Sequence, residues 1–430
     1  MTARGAALLL APAALLLLAA RFSPLRWVAV AVLVAAVAVV VVDGRRAPGA
    51  ARLRVRRDHD DPLSVGRPNP VRLHIDVAGG GRRRAIVRDE HPAGMRASAE
   101  LARIWIPGET AYTLTPPVRG SREFGRTVLR VEGPWRLGWR QSSLGAPTTV
   151  RVDPDLSAVR SFEALARRGQ LAEMGVRSLR RPGEGTEFER VRDAVPDDPL
   201  RTINWRATAR SGRLMATELI PERAQPVIVC LDHGRLMGVG AGELTKLDHA
   251  INAALLLVHV ALRSGDRAGL LAFDDRVTVA LGPRAGRGQM RAILDALQPL
   301  RAGLIEADYD EALAYLSRWQ RRRALLAIFT DVLDTDQGAA LLRQCARLRR
   351  RHLPLVITVR DPALDDAARR EPRQPGDAYE RAVAGGLLAD REASLQVLRR
   401  SGVDTLDADA RTLSPRLVNR YLELKRRARL

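Results

Sequence analysis

Two uncharged apolar runs open the chain, "AALLLAPAALLLLAA" (6–20) and "WVAVAVLVAAVAVVVV" (27–42), split by "RFSPLR". A spanning helix needs about 20 apolar residues, and ~17 suffice. With Phe22 and Leu25 each run approaches that length, so the pattern predicts a transmembrane hairpin over 1–44. Arg4, the Leu-rich stretch and Ala19-Ala20 also fit a cleaved signal peptide. The second run would anchor the chain in either case.

Residues 50–150 change to short, partly alternating segments bounded by Gly and Pro: 71–78, 102–108, 111–117 and 126–133. Such spacing predicts a small β-sandwich. His74 and His91 within it are lone histidines with no catalytic cluster around them. A junction follows over 151–225, with helical spacing in 161–175 and a turn-rich stretch after it. From 226 to 430 strands and helices alternate. Strands are expected at 226–232, 267–273, 276–281, 324–331, 353–359 and 403–408. Helices are expected at 247–265, 288–297, 308–320, 338–351, 377–401 and 412–428. That order predicts an α/β domain with a doubly wound, mostly parallel sheet.

Charge adds a direction. The net charge is +21, and every one of the 70 basic residues is Arg except Lys246 and Lys425. A basic chain suits anionic lipid or nucleic acid. The arginines are interleaved with acids and aromatic residues are only 4% of the chain, which disfavours base stacking and hence nucleic acid. Arg45, Arg46, Arg52, Arg54, Arg56 and Arg57 follow the second apolar run, and Arg4 precedes the first. Only Arg21 and Arg26 lie between the runs. The positive-inside rule then puts both ends on the cytoplasmic side of a membrane crossed twice. Cys230 and Cys345 form no framework and no metal-ligand pair.

The stretch "GTEFERVRDAVPDDPLRTINWRATARSGRLMATEL" (185–219) is dense in both charges around one Trp. In it the chain resembles the bacterial family called domain of unknown function 58. The matching positions are Gly185, Glu187, Phe188, Arg192, Asp198, Arg201, Ile203, Trp205, Ala209 and Arg210. Asp197 replaces the family's Gly, and Asn204 replaces its Asp. The resemblance implies a membrane hairpin, a β domain and a von Willebrand factor A-like domain. It also implies association with MoxR-type AAA+ ATPases and a scaffold or chaperone-like role. Two readings of the stretch stand side by side. One is a clamp in which Trp205 packs into a domain junction and Arg192, Arg201, Arg206 and Arg210 pair with Glu187, Asp193, Asp197 and Asp198. The other is a docking surface for carboxylates or a nucleotide phosphate.

One further motif touches chemistry. "PVIVCLDHGRLMG" (226–238) runs from an apolar strand into Asp232 and a turn, as metal-ion-dependent adhesion sites do in von Willebrand factor A-like domains. The adhesion pattern is Asp-x-Ser-x-Ser, and here the Ser positions hold Gly234 and Leu236. Asp331, after Thr330, would face the same crevice from the next strand. Glu306 and Asp308 offer further oxygens, and His233 a nitrogen. Mg²⁺ or Mn²⁺ wants six oxygens in near-octahedral array, and two hydroxyls are gone. The alternatives are a degenerate metal site at Asp232 and Asp331, or an Asp232 that caps a loop or pairs with Arg235. No phosphate loop, HExxH or GxSxG occurs. "LDTDQ" (333–337) is expected to cap the helix after it. The pattern therefore favours a membrane-anchored, non-enzymatic adaptor that binds a protein partner at the crevice. The alternatives are a metal-dependent hydrolase, or an anionic-lipid or nucleic-acid binder.

Overall fold

The computed structural model describes residues 2–18, 23–79, 81–176, 187–195, 198, 200–220, 225–331 and 335–426. It divides into two compact units, Met1–Asp153 and Pro154–Leu430. Of the stretch 151–225, expected as a junction, all but the first three residues fall in the second.

The first unit begins with helices α1 (Ala3–Leu18) and α2 (Ser23–Arg46). Among the described residues, α2 is the one helix long and apolar enough to cross a membrane. Its 24 residues reach about 36 Å, beyond the ~30 Å of a hydrocarbon core. The 16 residues of α1 reach about 24 Å. Leu10, Leu17, Trp27 and Val34 project outward rather than into a protein core. The turn expected between the two runs, 19–22, lies outside the described residues.

Besides two two-residue strands, the strands that follow are β1 (Leu53–His59), β2 (Asn69–Val77), β3 (Arg83–Asp89), β4 (Ala102–Ile106), β5 (Gly108–Thr115), β6 (Gly120–Phe124), β7 (Thr127–Glu132), β8 (Trp139–Leu144) and β9 (Thr148–Asp153). One antiparallel sheet runs β1-β2-β5 with Arg96–Ala97 at its edge. A second runs β8-β7-β3-β4. A third joins Leu63–Ser64, β9 and β6. Alternation sends Val71, Leu73 and Ile75 of β2 and Leu129 and Val131 of β7 into the core. Four of these strands lie near the expected segments. The others were hidden because Arg fills their outward positions, as in "LRVRRDH" of β1, so the stretch reads as polar.

The second unit is mixed α/β. Its sheet has the order β14-β13-β12-β15-β16-β17, built from β12 (Pro226–Asp232), β13 (Arg267–Phe273), β14 (Val277–Arg284), β15 (Leu325–Phe329), β16 (Leu353–Arg360) and β17 (Asp404–Asp409). All neighbours pair parallel except β14, which returns antiparallel on β13. Strand β12 is apolar up to its last residue, Asp232, as fits a strand with both faces covered. Val227, Val229 and Leu231 pack towards α5 (Lys246–Arg263), α6 (Arg287–Leu297) and α11 (Leu413–Arg426). Ile228 and Cys230 pack towards α7 (Tyr309–Trp319), α8 (Thr335–Leu348) and α10 (Pro375–Arg400). Helix α3 (Ser157–Arg168) lies on the α5 face through Val159 and Phe162. The helix expected over 161–175 stops early, because Gly169 takes a left-handed φ of 73° and closes it. A short helix not foreseen, α9 (Pro362–Arg369), starts at the Asp361 cap.

The charged stretch forms strands β10 (Glu187–Asp193) and β11 (Met215–Ile220), paired antiparallel, with α4 (Trp205–Ser211) between them.

Candidate functional site

Strands β12 and β15 are parallel neighbours, so their carboxyl ends open on one crevice. Asp232 ends β12, and Thr330 and Asp331 follow β15. All three side chains are buried. Their surroundings differ sharply.

Asp232 is met by neutral donors. Its Oδ1 accepts the Gly234 amide at 2.7 Å, and its Oδ2 accepts the Thr330 hydroxyl at 2.6 Å and the Tyr309 hydroxyl at 3.3 Å. Tyr309 and Thr330 are themselves 2.8 Å apart. Burial lifts the Asp232 carboxyl to about 6, only partly offset by these hydrogen bonds, and neighbouring Asp331 adds a small further rise. Burial likewise pushes the Tyr309 hydroxyl well above its ordinary value.

Asp331 is met by cations. Lys246 Nζ lies 2.5 Å from its Oδ2, and the Arg391 guanidinium pairs with its Oδ1. The lysine stands at the first position of α5. A capping box fixes that helix start, with Thr245 accepting from the Asp248 amide and Asp248 accepting from the Thr245 amide. Arg391, on α10, also reaches Asp407 Oδ1 of β17 at 2.9 Å. Arg360 closes on the other Asp407 oxygen at 2.7 Å, and Thr358 donates to Asp407 at 2.8 Å. Burial alone would raise the Asp407 carboxyl; Arg391 and Arg360 outweigh it and hold it below its ordinary value. Lys246, Asp331, Arg391 and Asp407 all have nearly sealed side chains.

This donor set does not suit a divalent cation. Both oxygens of Asp331 already face positive charge, so a metal would have to displace a buried ammonium. The first Ser position of the adhesion pattern is closed to any side chain. A Cβ at Gly234 would stand 2.9 Å from the Ile305 carbonyl and 3.0 Å from the Ala307 amide.

The other nearby candidates are engaged elsewhere. His233 Nε2 meets Thr278 Oγ1 at 2.9 Å, and Asp308 caps α7 through the Glu311 amide. Asp232 does cap the loop after β12. It does not pair with Arg235, whose guanidinium reaches Glu306 instead. The loops that follow β12 and precede α7 expose both the Arg235–Glu306 ion pair and apolar side chains. Leu304 is 93% exposed, Ile305 55% and Val239 41%. Their two loops are tied by Arg235 N–H to Ile305 O at 2.8 Å and Gly303 N–H to His233 O at 2.7 Å.

In the charged stretch, Arg192 holds Asp198 by two bonds of 2.8 and 2.7 Å, and Asp198 also accepts the Val195 amide at 2.8 Å. Arg192 and that amide hold the Asp198 carboxyl below its ordinary value. Asn204 caps α4 by accepting the Ala207 amide at 3.0 Å. Asp193 faces Arg213 at 3.7 Å. Trp205 does not pack into a junction: it is 66% exposed, at the start of the two-turn helix α4, in which none of the residues is buried. Val195, Leu200 and Leu214 are exposed beside it in sequence, and Arg210 is exposed too. The side chains of Glu187, Phe188 and Arg201, and all of Asp197 and 332–334, lie outside the described residues, so the expected cap from 333–337 does as well.

Sequence reasoning missed Lys246, Arg391, Asp407 and Tyr309. One signal was present. Lys246 and Lys425 are the only lysines in an Arg-rich chain, and each ammonium meets a fully buried aspartate. Lys425 lies 2.7 Å from Asp266, which also accepts from Tyr421.

The site is a self-paired cluster of charges at the carboxyl end of a parallel-containing sheet. Residues 190–367 match the family described as "Protein of unknown function DUF58", and they include β12, β15, Lys246 and both crevice aspartates. Uncharacterized proteins of Mycobacterium tuberculosis and Mycobacterium bovis are 28% identical over 183 residues. The match takes in 42% of this chain and 57% of each relative's length. Among solved structures, a conserved hypothetical protein BatB from Bacteroides thetaiotaomicron shows 13% identity and a TM-score of 0.31, covering 47% of this chain and 100% of that one. An uncharacterized membrane spanning protein from Vibrio fischeri shows 13% identity and a TM-score of 0.17, covering 47% and 98%.

Proposed function

We propose that the protein is a membrane-anchored, non-enzymatic adaptor that binds a protein partner at the crevice rim. The observation that carries this is the contrast between sealed acids and exposed apolar side chains. Asp232 and Asp331 are 2% and 0% exposed, so no substrate reaches them, while Leu304, Ile305 and Val239, on the loops after β12 and before α7, stand in solvent. Exposed apolar side chains ringed by polar ones mark interaction sites. The same burial argues against the hydrolase reading. In this reading the domain is von Willebrand factor A-like with its metal replaced by Lys246 and Arg391. The partner is a MoxR-type AAA+ ATPase, as the family resemblance implies. The anchor is a two-span hairpin with both soluble units cytoplasmic. Full-length protein in lipid nanodiscs should bind the MoxR-type ATPase of its own genome. The double change Leu304→Ser, Ile305→Ser should weaken that binding more than tenfold, and Trp205→Ser tests the charged stretch in the same assay. No binding by the wild type, or an unaffected rim variant, contradicts the proposal. For the topology, a fluorescent-protein fusion after Leu430 should glow and an alkaline phosphatase fusion should be inactive; the reverse pattern contradicts it.

A further inference from the structure

We infer that the β-sheet face beside the start of α1 seats the headgroup of an anionic phospholipid. The inference rests on α2 spanning the bilayer, and it goes beyond partner binding. In an antiparallel sheet with one face on the core, the outer face should be polar. The register of β3 with β4 pairs Arg84 with Trp105 and Ile86 with Arg103, which puts these four on one outward face. Trp139 of β8 lies opposite Glu132 of β7. The face therefore carries two indoles where solvent alone would favour none. Together with Thr2 and Ala3 they line a groove of about 440 Å³.

The groove is cationic. Arg84 and Arg136 lie over the Trp105 ring, 5.1 and 5.8 Å from its centre, with Arg82 at 6.0 Å. Arg103 lines the same groove, and Glu132 is the one acid among the lining residues. A phosphate flanked by guanidiniums and amphipathic indoles is the chemistry of a bilayer's headgroup layer.

The groove's depth is fixed by the anchor. Asp43, near the end of α2, accepts the amides of Trp135, Leu137 and Gly138 at 2.7, 2.7 and 2.8 Å. Thr2 donates its amide to Leu137 O at 3.1 Å and its hydroxyl to Arg136 O at 2.5 Å. The β7–β8 turn is thus clamped to α2 where it leaves the apolar layer and to the first residues before α1. Arg46 lies 4.9 Å over the half-exposed Trp135 ring. A sheet face held at that level meets lipid phosphates, and anionic lipids attract basic groups near the surface.

The test uses the full-length chain in nanodiscs of phosphatidylcholine alone or with phosphatidylglycerol, read by amide hydrogen exchange. Incorporation into the phosphatidylcholine discs reports the spanning helix by itself. Phosphatidylglycerol should slow exchange severalfold in residues 83–106. The double variant Arg84→Gln, Arg103→Gln should abolish that slowing without changing exchange in phosphatidylcholine. Arg84→Lys, Arg103→Lys should keep most of it. Inorganic phosphate added to phosphatidylcholine discs should not reproduce it. Equal exchange in both lipids overturns the inference, as does slowing that persists in the Gln variant or is matched by inorganic phosphate.

Discussion

Asp232 and Lys246 show how two buried charges at one crevice are handled differently. Asp232 has no cation in hydrogen-bonding contact among the described residues, and burial lifts its carboxyl from 3.8 to about 6. An acid whose pKa rises on folding holds its proton more tightly in the native chain. Its contribution to stability is fully present below about pH 4 and is lost as pH rises through about 6. Asp232→Asn cannot ionise and keeps an oxygen for the Gly234 amide. Its stability relative to wild type should therefore improve by on the order of 3 kcal/mol between about pH 4 and pH 7. Urea unfolding of both proteins at the two pH values checks this, and a flat difference would refute it. Lys246 is a point charge in a sealed site, so Lys246→Arg keeps the charge but overfills the space. It should cost about 1–3 kcal/mol. A fully stable Arg variant would mean that any cation serves. The sequence showed Asp232 and Asp331 through their strand ends. It did not show their partners, because Lys246 and Arg391 arrive from helices starting 14 residues or more away in sequence and are brought together only by the sheet.

Elements were legible where apolar residues marked them. Strand β12 stands out because burial on both faces leaves Asp232 as its one polar side chain, and helix α5 because its run Ala253–Val258 is wholly buried and apolar. Strands β1 and β3 did not, since outward arginines interrupt their pattern. The joint between α2 and the β7–β8 turn was also invisible, because a single Asp at the end of an apolar run looks like a flanking charge. In the fold it is a hub. A Cβ at Gly138 would stand 2.5 Å from the Val40 carbonyl, and one at Gly133 would strike the Asp43 carboxylate, so the turn needs both glycines. Asp43→Ala leaves three amides without their acceptor and should cost about 3 kcal/mol, whereas Asp43→Asn should cost less. Thermal unfolding in detergent orders the two. An Ala variant as stable as wild type would show that the joint holds nothing.

Over the whole molecule, the apolar runs marked N-terminal helices of which one is long and apolar enough to cross a membrane, and the alternation after residue 226 marked a sheet with helices on both faces. The antiparallel return of β14 was not legible, because a two-sided apolar pattern carries no strand direction. Nor does the net charge of +21 reveal that the buried Lys246 and Arg391 neutralise one of the chain's own acids, Asp331. On the reading proposed above, Lys246 and Arg391 take the place a metal would hold. Titrating the full-length protein in nanodiscs with Mg²⁺ and Mn²⁺ tests it most directly, by calorimetry and thermal unfolding together. With both Asp331 oxygens already paired, no saturable heat at millimolar metal and no change in Tm are expected. A Mg²⁺-dependent rise in Tm that disappears in Asp232→Ala would contradict that reading.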